Sequence, residues 1–331
     1  MTLRTRKPTG VASWPLVLLE GAEKAGKSWA AAEFTASSRI GRALWLDLGE
    51  GIADEYAAIP GADYEIIVHD GTFHDILGQV QAAREEAVKA AAAGDKPVLL
   101  VVDSITLVWG MLKTWVYERA RSSKWARRKL AEDPNFEIKP STNLWNDANE
   151  RHDQLMRLLM TFPGPVVMTA RGKEVAVIDA NGNPVEGQRE YRVDGNKSIA
   201  YQSSAWVRMS RTEPATVVGL WSVNHQLRPG VDDPVKKPDF SVEWLVFDLL
   251  GCGDETRARN LMARPELSDV TEAAKEATTR ETISDVWAMA RDADYLDIAT
   301  EDGPSIREIL TAAVERVKAS ENQDAVGSDA A

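Results

Sequence analysis

Gly21-Ala22-Glu23-Lys24-Ala25-Gly26-Lys27-Ser28 limits what this chain can fold into more than any other stretch. It fits Gly-x-x-x-x-Gly-Lys-Ser/Thr and follows at once on an apolar run, Pro15-Leu16-Val17-Leu18-Leu19. The run has no period-two alternation, so it predicts a strand buried on both faces, as in a parallel sheet covered by helices. Trp29-Ala30-Ala31-Ala32-Glu33-Phe34 is helix-forming material. Strand, glycine loop and helix in that order make a P-loop. Gly21 and Gly26 let backbone N–H groups turn toward phosphate oxygens, and the helix N-terminus adds partial positive charge. Residues 21–29, from Gly21 through Ala22, Glu23, Lys24, Ala25, Gly26, Lys27 and Ser28 to Trp29, are the expected nucleotide-binding segment. Lys27 is placed to reach the β- and γ-phosphates of ATP, and the Ser28 hydroxyl to ligate Mg²⁺.

Length leaves room for one large α/β domain and a small appendage, since the chain has 331 residues. Its longest apolar runs are strand-length. The basic start, Met1-Thr2-Leu3-Arg4-Thr5-Arg6-Lys7-Pro8, leads into no hydrophobic stretch of signal-peptide form, so no membrane association and a cytoplasmic location are expected. A single cysteine, Cys252, excludes an internal disulfide. His69, His74, His152 and His225 show no metal-ligand spacing, which argues against structural zinc. The formal charge of −12 argues against a uniformly basic nucleic-acid binder. Residues 265–331, however, hold 16 acidic and 6 basic side chains, a net of −10, so the body before them can carry a local basic surface.

In chain order, residues 1–13 form a polar arm, and no separate domain is expected ahead of the first strand. Ala43-Leu44-Trp45-Leu46-Asp47-Leu48 predicts a second strand ending in the acidic turn Gly49-Glu50-Gly51. Ligands and catalytic groups gather at such strand ends in open α/β sheets. Tyr64 to His69 predicts a third strand, and Thr72 to Ala93 a helix stopped by Gly94-Asp95-Lys96-Pro97. Val98-Leu99-Leu100-Val101-Val102-Asp103-Ser104 is a buried strand running into an aspartate, the Walker B pattern. Paired with the P-loop, it assigns Asp103 to the metal. Pro165 to Lys173 predicts a further buried strand. Thr169, Arg171 and Lys173 at its end are either γ-phosphate-sensing groups or a solvated strand end. A hairpin is expected around Asn181-Gly182, and further strands at Ala205–Ser210, Thr216–Val223 and Val242–Asp248.

The core is expected over 14–251. Two capping boxes, Thr278-Thr279-Arg280-Glu281 and Ser305-Ile306-Arg307-Glu308, open amphipathic helices in an acidic region over 265–320, with 321–331 disordered.

Glu23 in the loop, the acid Glu50 after the second strand, and Val101-Val102-Asp103-Ser104 together resemble the RecA class of ATPases. Kinases and GTPases fit less well, because neither a guanine-reading Asn-Lys-x-Asp motif nor a lid-type arginine cluster is present. Gly21, Glu23, Gly26, Lys27, Ser28, Asp47, Asp103 and Ser104 match the RecA pattern by position. The resemblance covers roughly residues 15–250 and is nearest to the RecA-like ATPases of bacteriophages, the Sak-type recombination proteins. It implies a RecA-like core with a small helical C-terminal appendage, ATP and Mg²⁺ as ligands, and a ring or filament of identical subunits. Two departures stand out. The RecA acid falls one position earlier, at Gly49, so Glu50 as the water-polarising group requires one inserted residue, and Asp47 and Asp54 are rivals. The Asn-Gln pair that ends the RecA sensor strand is replaced by Thr169-Ala170-Arg171, and Arg171 or Lys173 is a candidate finger acting on a neighbouring subunit.

RecA-like proteins bind single strands through loops after Walker B and after the next strand. Here Lys113, Arg119, Arg121, Lys124, Arg127, Arg128 and Lys129 crowd one stretch with Trp115, Tyr117 and Trp125. Cations track phosphates and aromatics stack bases, so this composition suits a single-strand groove, or a solvated helix whose tryptophans face the core. The expected activity is a DNA-stimulated, Mg-dependent ATPase promoting annealing or strand exchange, with single-stranded DNA, itself and a single-strand-binding protein as partners. A replicative helicase or helicase loader is the alternative within enzymes, and a nucleotide-switched interaction module without DNA the alternative outside them.

Overall fold

The structure, a computed structural model, describes residues 5, 7–179, 183–225, 227–228, 230–261, 265, 267–293, 295–300 and 303–328. Two compact units divide the chain, Met1–Asn260 and Leu261–Ala331. The first lays down β1 (Leu16–Gly21), α1 (Lys27–Thr35), β2 (Ala43–Asp47), α2 (Ala53–Tyr56), β3 (Glu65–Ile66), α3 (Phe73–Ala93) and β4 (Leu99–Asp103). There follow α4 (Ile105–Arg121), α5 (Lys124–Glu132), α6 (Thr142–Met160), β5 (Val166–Ile178), β6 (Pro184–Asp194), α7 (Ile199–Gln202), β7 (Ala205–Met209), β8 (Ala215–Leu220) and β9 (Val235–Lys237). A π-helical turn at Trp244–Leu249 comes last.

The sheet runs in the order β3-β2-β4-β5-β1-β7-β8-β9, with β6 paired to β5. Strands β3, β2, β4, β5, β1 and β7 are parallel to their neighbours, and β6, β8 and β9 are antiparallel additions. The fold is therefore α/β, a mostly parallel sheet flanked by helices. Alternate residues of one strand feed two cores. Leu16, Leu18, Leu100 and Val102 pack with Ile76, Val108 and Leu155 of α3, α4 and α6. Val17, Leu19, Val101 and Val167 pack on the other face with Ala31 and Phe34 of α1 and with Leu245 and Val246 of the π turn. Both faces being apolar is why the strands show no alternation. β5 lies between β1 and β4, so the ends of β1 and β4 converge on the middle of β5, at Thr169–Arg171, from which β5 continues into its pairing with β6.

Several expected boundaries shift. The third strand shrinks to Glu65–Ile66, both exposed at the sheet edge. Val242–Asp248, read as a strand, is helical, because Val242, Leu245, Val246 and Leu250 recur at helical spacing and all are buried. Residues 252–260 stay with the first unit rather than beyond it, since Trp14 N–H donates to the Arg257 carbonyl at 2.9 Å and Arg257 N–H to the Ala12 carbonyl at 3.3 Å. The turn of the expected hairpin, 180–182, lies outside the described residues, but its arms β5 and β6 pair as anticipated.

The second unit holds α8 (Leu267–Glu276), α9 (Arg280–Asp292) and α10 (Ile306–Ser328). Their shared core includes Val270, Ala274, Ile283, Val286, Ala290, Leu310 and Ala313. The α9 box is closed by Thr279 and Thr282, one residue later than Thr278 and Glu281. That at α10 is the one expected: Glu308 N–H donates to Ser305 Oγ and Ser305 N–H to the Glu308 carboxylate. α10 also continues to Ser328, into the stretch expected to be disordered. Glu321, Gln323 and Ala325 favour helix and Asn322, Asp324 and Gly327 do not, but an existing helix propagates at low cost. No helix among the described residues is long and apolar enough to cross a membrane.

Candidate nucleotide site

The P-loop is built where β1 ends. A Cβ at Gly21 would lie 2.1 Å from the Met209 carbonyl oxygen, so only glycine lets β1 and β7 approach this closely. Gly26 caps α1 at φ 85°, a left-handed backbone that favours glycine. The Lys27 ammonium donates to the carbonyls of Gly21 (3.1 Å) and Ala22 (2.7 Å). Burial lowers the Lys27 pKa, while Asp103, Glu50 and Glu20 pull it up and Arg171 pushes it down. Four charged groups, from the ends of β1 and β4, the turn after β2 and the middle of β5, thus surround the Lys27 ammonium.

Asp103 is buried at the end of β4. One carboxylate oxygen accepts a hydrogen bond from Thr169, and a second hydroxyl donor, Ser28, lies beside the group. The other oxygen, Oδ2, has no hydrogen-bond partner. Burial raises the Asp103 pKa, opposed by those two donors. An orphaned carboxylate oxygen beside a serine hydroxyl is a set of hard oxygen donors, and it fits Mg²⁺.

The turn after β2 brings Glu50 to the same place. Glu50 Oε1 accepts from Arg171 Nη2 at 2.8 Å, from Arg171 Nε at 3.3 Å and from Ser104 Oγ at 3.3 Å. Asp47 is occupied differently: its Oδ1 accepts the backbone N–H groups of Gly49, Glu50 and Gly51, fixing the turn. Asp54 sits exposed in the first turn of α2. Of the three acids, Glu50 alone joins the network of Arg171 and Ser104.

Other expected residues are less central. Glu23 is exposed and 3.4 Å from Arg211, and Trp29 is half-exposed, edge-on to Tyr56. Lys24 adopts φ 55° and is exposed, and Ala25 beside it is half-buried. Lys173 is held by Asp194 across the hairpin at 2.7 Å and stays apart from the cluster. The basic stretch is also apart. α4 begins beside Asp103 and runs back along the sheet, so Arg121 lies about 25 Å along its axis.

Sequence reading overlooked Glu20, the last residue before the loop. It is fully buried, with Oε2 accepting from Trp206 Nε1 and Arg208 Nε, each at 3.2 Å, and Oε1 unpartnered beside Gly172. A charge closing an otherwise apolar strand was the available signal. Thr106 was overlooked too; its hydroxyl accepts the Arg171 N–H at 2.9 Å and ties α4 to β5.

Residues 15–228, about two thirds of the chain, match the AAA domain family. The chain belongs to that family. This AAA domain is a nucleotide-dependent P-loop ATPase. Solved structures found similar to this chain include the RadB recombinase, at TM-score 0.36 and 14% identity over 66% of this chain and 85% of that one. A second is a prototypical ATPase of the type III secretion system of pathogenic bacteria, at TM-score 0.34 and 10% identity over 92% of this chain and 80% of that one. No curated protein sequence matches.

Proposed function

We propose that this AAA domain is a Mg-dependent ATPase that binds single-stranded DNA and promotes annealing or strand exchange, as a phage-type recombination or replication protein acting in the host cytoplasm. The nucleotide half of the reading rests on the orphaned Asp103 Oδ2 next to Ser28 and Lys27. Ser28 and Asp103 would hold Mg²⁺, which would offset the negative charge of the phosphates. Lys27 exchanges its loop carbonyls for phosphate oxygens. Glu50 accepts the proton of the attacking water, and Arg171 holds Glu50 in position and neutralises charge on the transferred phosphate. Thr169, which donates to Asp103, fixes the orientation of that carboxylate. An Arg171 finger acting on a neighbouring subunit would first have to break its ion pair with Glu50, so action within its own subunit is favoured.

The observation that carries the DNA half is the exposed face of α4 and α5. Lys113, Arg119, Arg121, Lys124 and Arg127 are exposed, with half-exposed Tyr117 and Trp125 between them. Arg128 and Lys129 belong to the same face but share Glu132, at 3.6 and 2.8 Å. Trp115 is the exception, half-buried against the core beneath Arg151. Cations with interleaved solvent-facing aromatics suit a phosphate backbone with stacked bases.

Phosphate release measured with and without single-stranded DNA, in Mg²⁺ and in EDTA, tests both halves. Turnover that needs Mg²⁺ and rises with DNA is expected. Turnover indifferent to DNA, with no mobility shift of the oligonucleotide, would leave a nucleotide-switched interaction module. Directional unwinding of a forked duplex would instead make it a helicase.

A further inference from the structure

The three-helix second unit carries a groove of about 440 Å³ between α9 and α10. Ile283, Trp287, Val314 and Val317 form its apolar floor. Its rim is basic: Arg280 and Arg291 stand at the two ends of the α9 stripe, and Lys318 faces them from α10. All three are exposed. They are half of the six basic residues in 265–331, a stretch that also holds 16 acidic ones. The unit has thus gathered positive charge around the one apolar cleft described on it.

We propose that this groove docks an acidic peptide segment of a partner protein carrying two or three large apolar side chains. The volume lies within the range of specific binding clefts, and the α9 stripe from 280 to 291 is about 17 Å long, three helical turns. Apolar anchors fill the floor while carboxylates meet the rim, a recognition mode in which charge sets partner choice and apolar burial sets affinity. Lys318 also touches Glu315 at 2.9 Å. An exposed i,i+3 pair of this kind is weak and gives way to a partner carboxylate. A nucleic acid is disfavoured here, because a long polyanion would run from three cations into the surrounding acidic surface.

The test uses the full chain and a fluorescein-labelled 15-residue peptide of Glu, Asp, Leu and Phe, followed by anisotropy. Micromolar binding that weakens with salt is expected. Combined Arg280→Glu, Arg291→Glu and Lys318→Glu, all at exposed positions, should weaken it by roughly 30-fold or more. Trp287→Ala should do the same, and circular dichroism checks that the unit stays folded. Saturable binding lost in the triple variant supports the proposal. No binding, equal binding of the same peptide with Lys replacing Glu and Asp, or unchanged binding in the triple variant overturns it. It is also overturned if the triple variant abolishes self-association in sedimentation, which makes a second copy the occupant, or abolishes oligonucleotide binding instead.

Discussion

Arg171 Nη2 lies 2.8 Å from Glu50 Oε1, closing an ion pair between the middle of β5 and the turn after β2. The pair sits at the base of the β5–β6 hairpin, so a change in hairpin position moves the guanidinium that steers Glu50. A DNA strand lying on the hairpin would reach the proposed water-activating group by one side chain. Arg192 and Lys197 at the return of that hairpin are exposed.

Arg171→Ala should lower kcat by about 10²- to 10³-fold with little change in KM for ATP, the pattern of a group acting mainly in the transition state. Arg171→Lys restores charge without the two-pronged contact and should recover only part of the loss. Glu50→Gln should keep nucleotide binding and lose roughly 10²- to 10⁴-fold in turnover. Normal hydrolysis by the glutamine variant, beside loss in Asp47→Asn, would transfer the role to Asp47.

Asp103→Asn should raise the melting temperature of the protein without nucleotide at neutral pH. The carboxyl pKa is raised above its ordinary value of 3.8 by burial, so the folded state binds its proton more tightly than the unfolded state does. The ionised side chain therefore costs stability above the raised pKa, and that cost fades as pH falls through it toward 3.8. The advantage of the variant should shrink over the same window. Mg-ATP at a hundred times its Kd stabilises a binding-competent protein by about 2.7 kcal/mol, and the asparagine variant should gain markedly less. Differential scanning fluorimetry between pH 4 and pH 8, on the order of one unit per step, reads both effects. Equal melting of the two proteins at every pH would remove the buried charge from the account.

What was legible follows from locality. The P-loop and Walker B each combine an apolar run with chemistry at its end, so a short window holds the whole signal. Glu50 with Arg171 and Glu20 with Arg208 are pairs made by strand order, 121 and 188 residues apart in sequence, and no local pattern encodes which strands become neighbours. The same holds for the basic stretch. Its composition was plain, but only the length and direction of α4 place it far from Asp103. Val242–Asp248 failed for another reason, since a short buried apolar run suits a strand and a helix equally.

Lys27→Met should abolish hydrolysis and leave the fold intact or slightly more stable. Lys27 has a pKa lowered chiefly by burial, so its charge costs stability at neutral pH, a cost relieved only as pH rises through the lowered value. Methionine keeps the stem and drops the ammonium, giving up two bonds to loop carbonyls. Melting at or above wild type with phosphate release at background is the expected pair of results. Wild-type turnover in this variant would end the P-loop assignment.

Binding of DNA by α4 and α5 makes a graded prediction. Lys113, Arg121 and Lys124 are exposed and have no acidic partner among the described residues, whereas Arg128 and Lys129 already share Glu132. Lys113→Glu with Arg121→Glu and Lys124→Glu should therefore weaken single-strand binding more than Arg128→Glu with Lys129→Glu. If all three contact phosphates, the slope of log K against log salt should flatten by about 2, at roughly 0.7 per contact on single strands. Trp125 is 55% exposed and edge-on to Phe136, so one face is available to a base. Trp125→Ala should cost about 1 to 3 kcal/mol with no change in salt slope, because stacking releases no counterions. ATP turnover without DNA should be unaffected by any of these, since the substitutions lie along or beyond α4, away from Asp103. Anisotropy titrations of a labelled oligonucleotide at four salt concentrations, about 50 to 200 mM, separate the two contributions. Wild-type affinity and slope in the triple variant would make α4 and α5 a solvated surface and move the DNA contact to the β5–β6 hairpin.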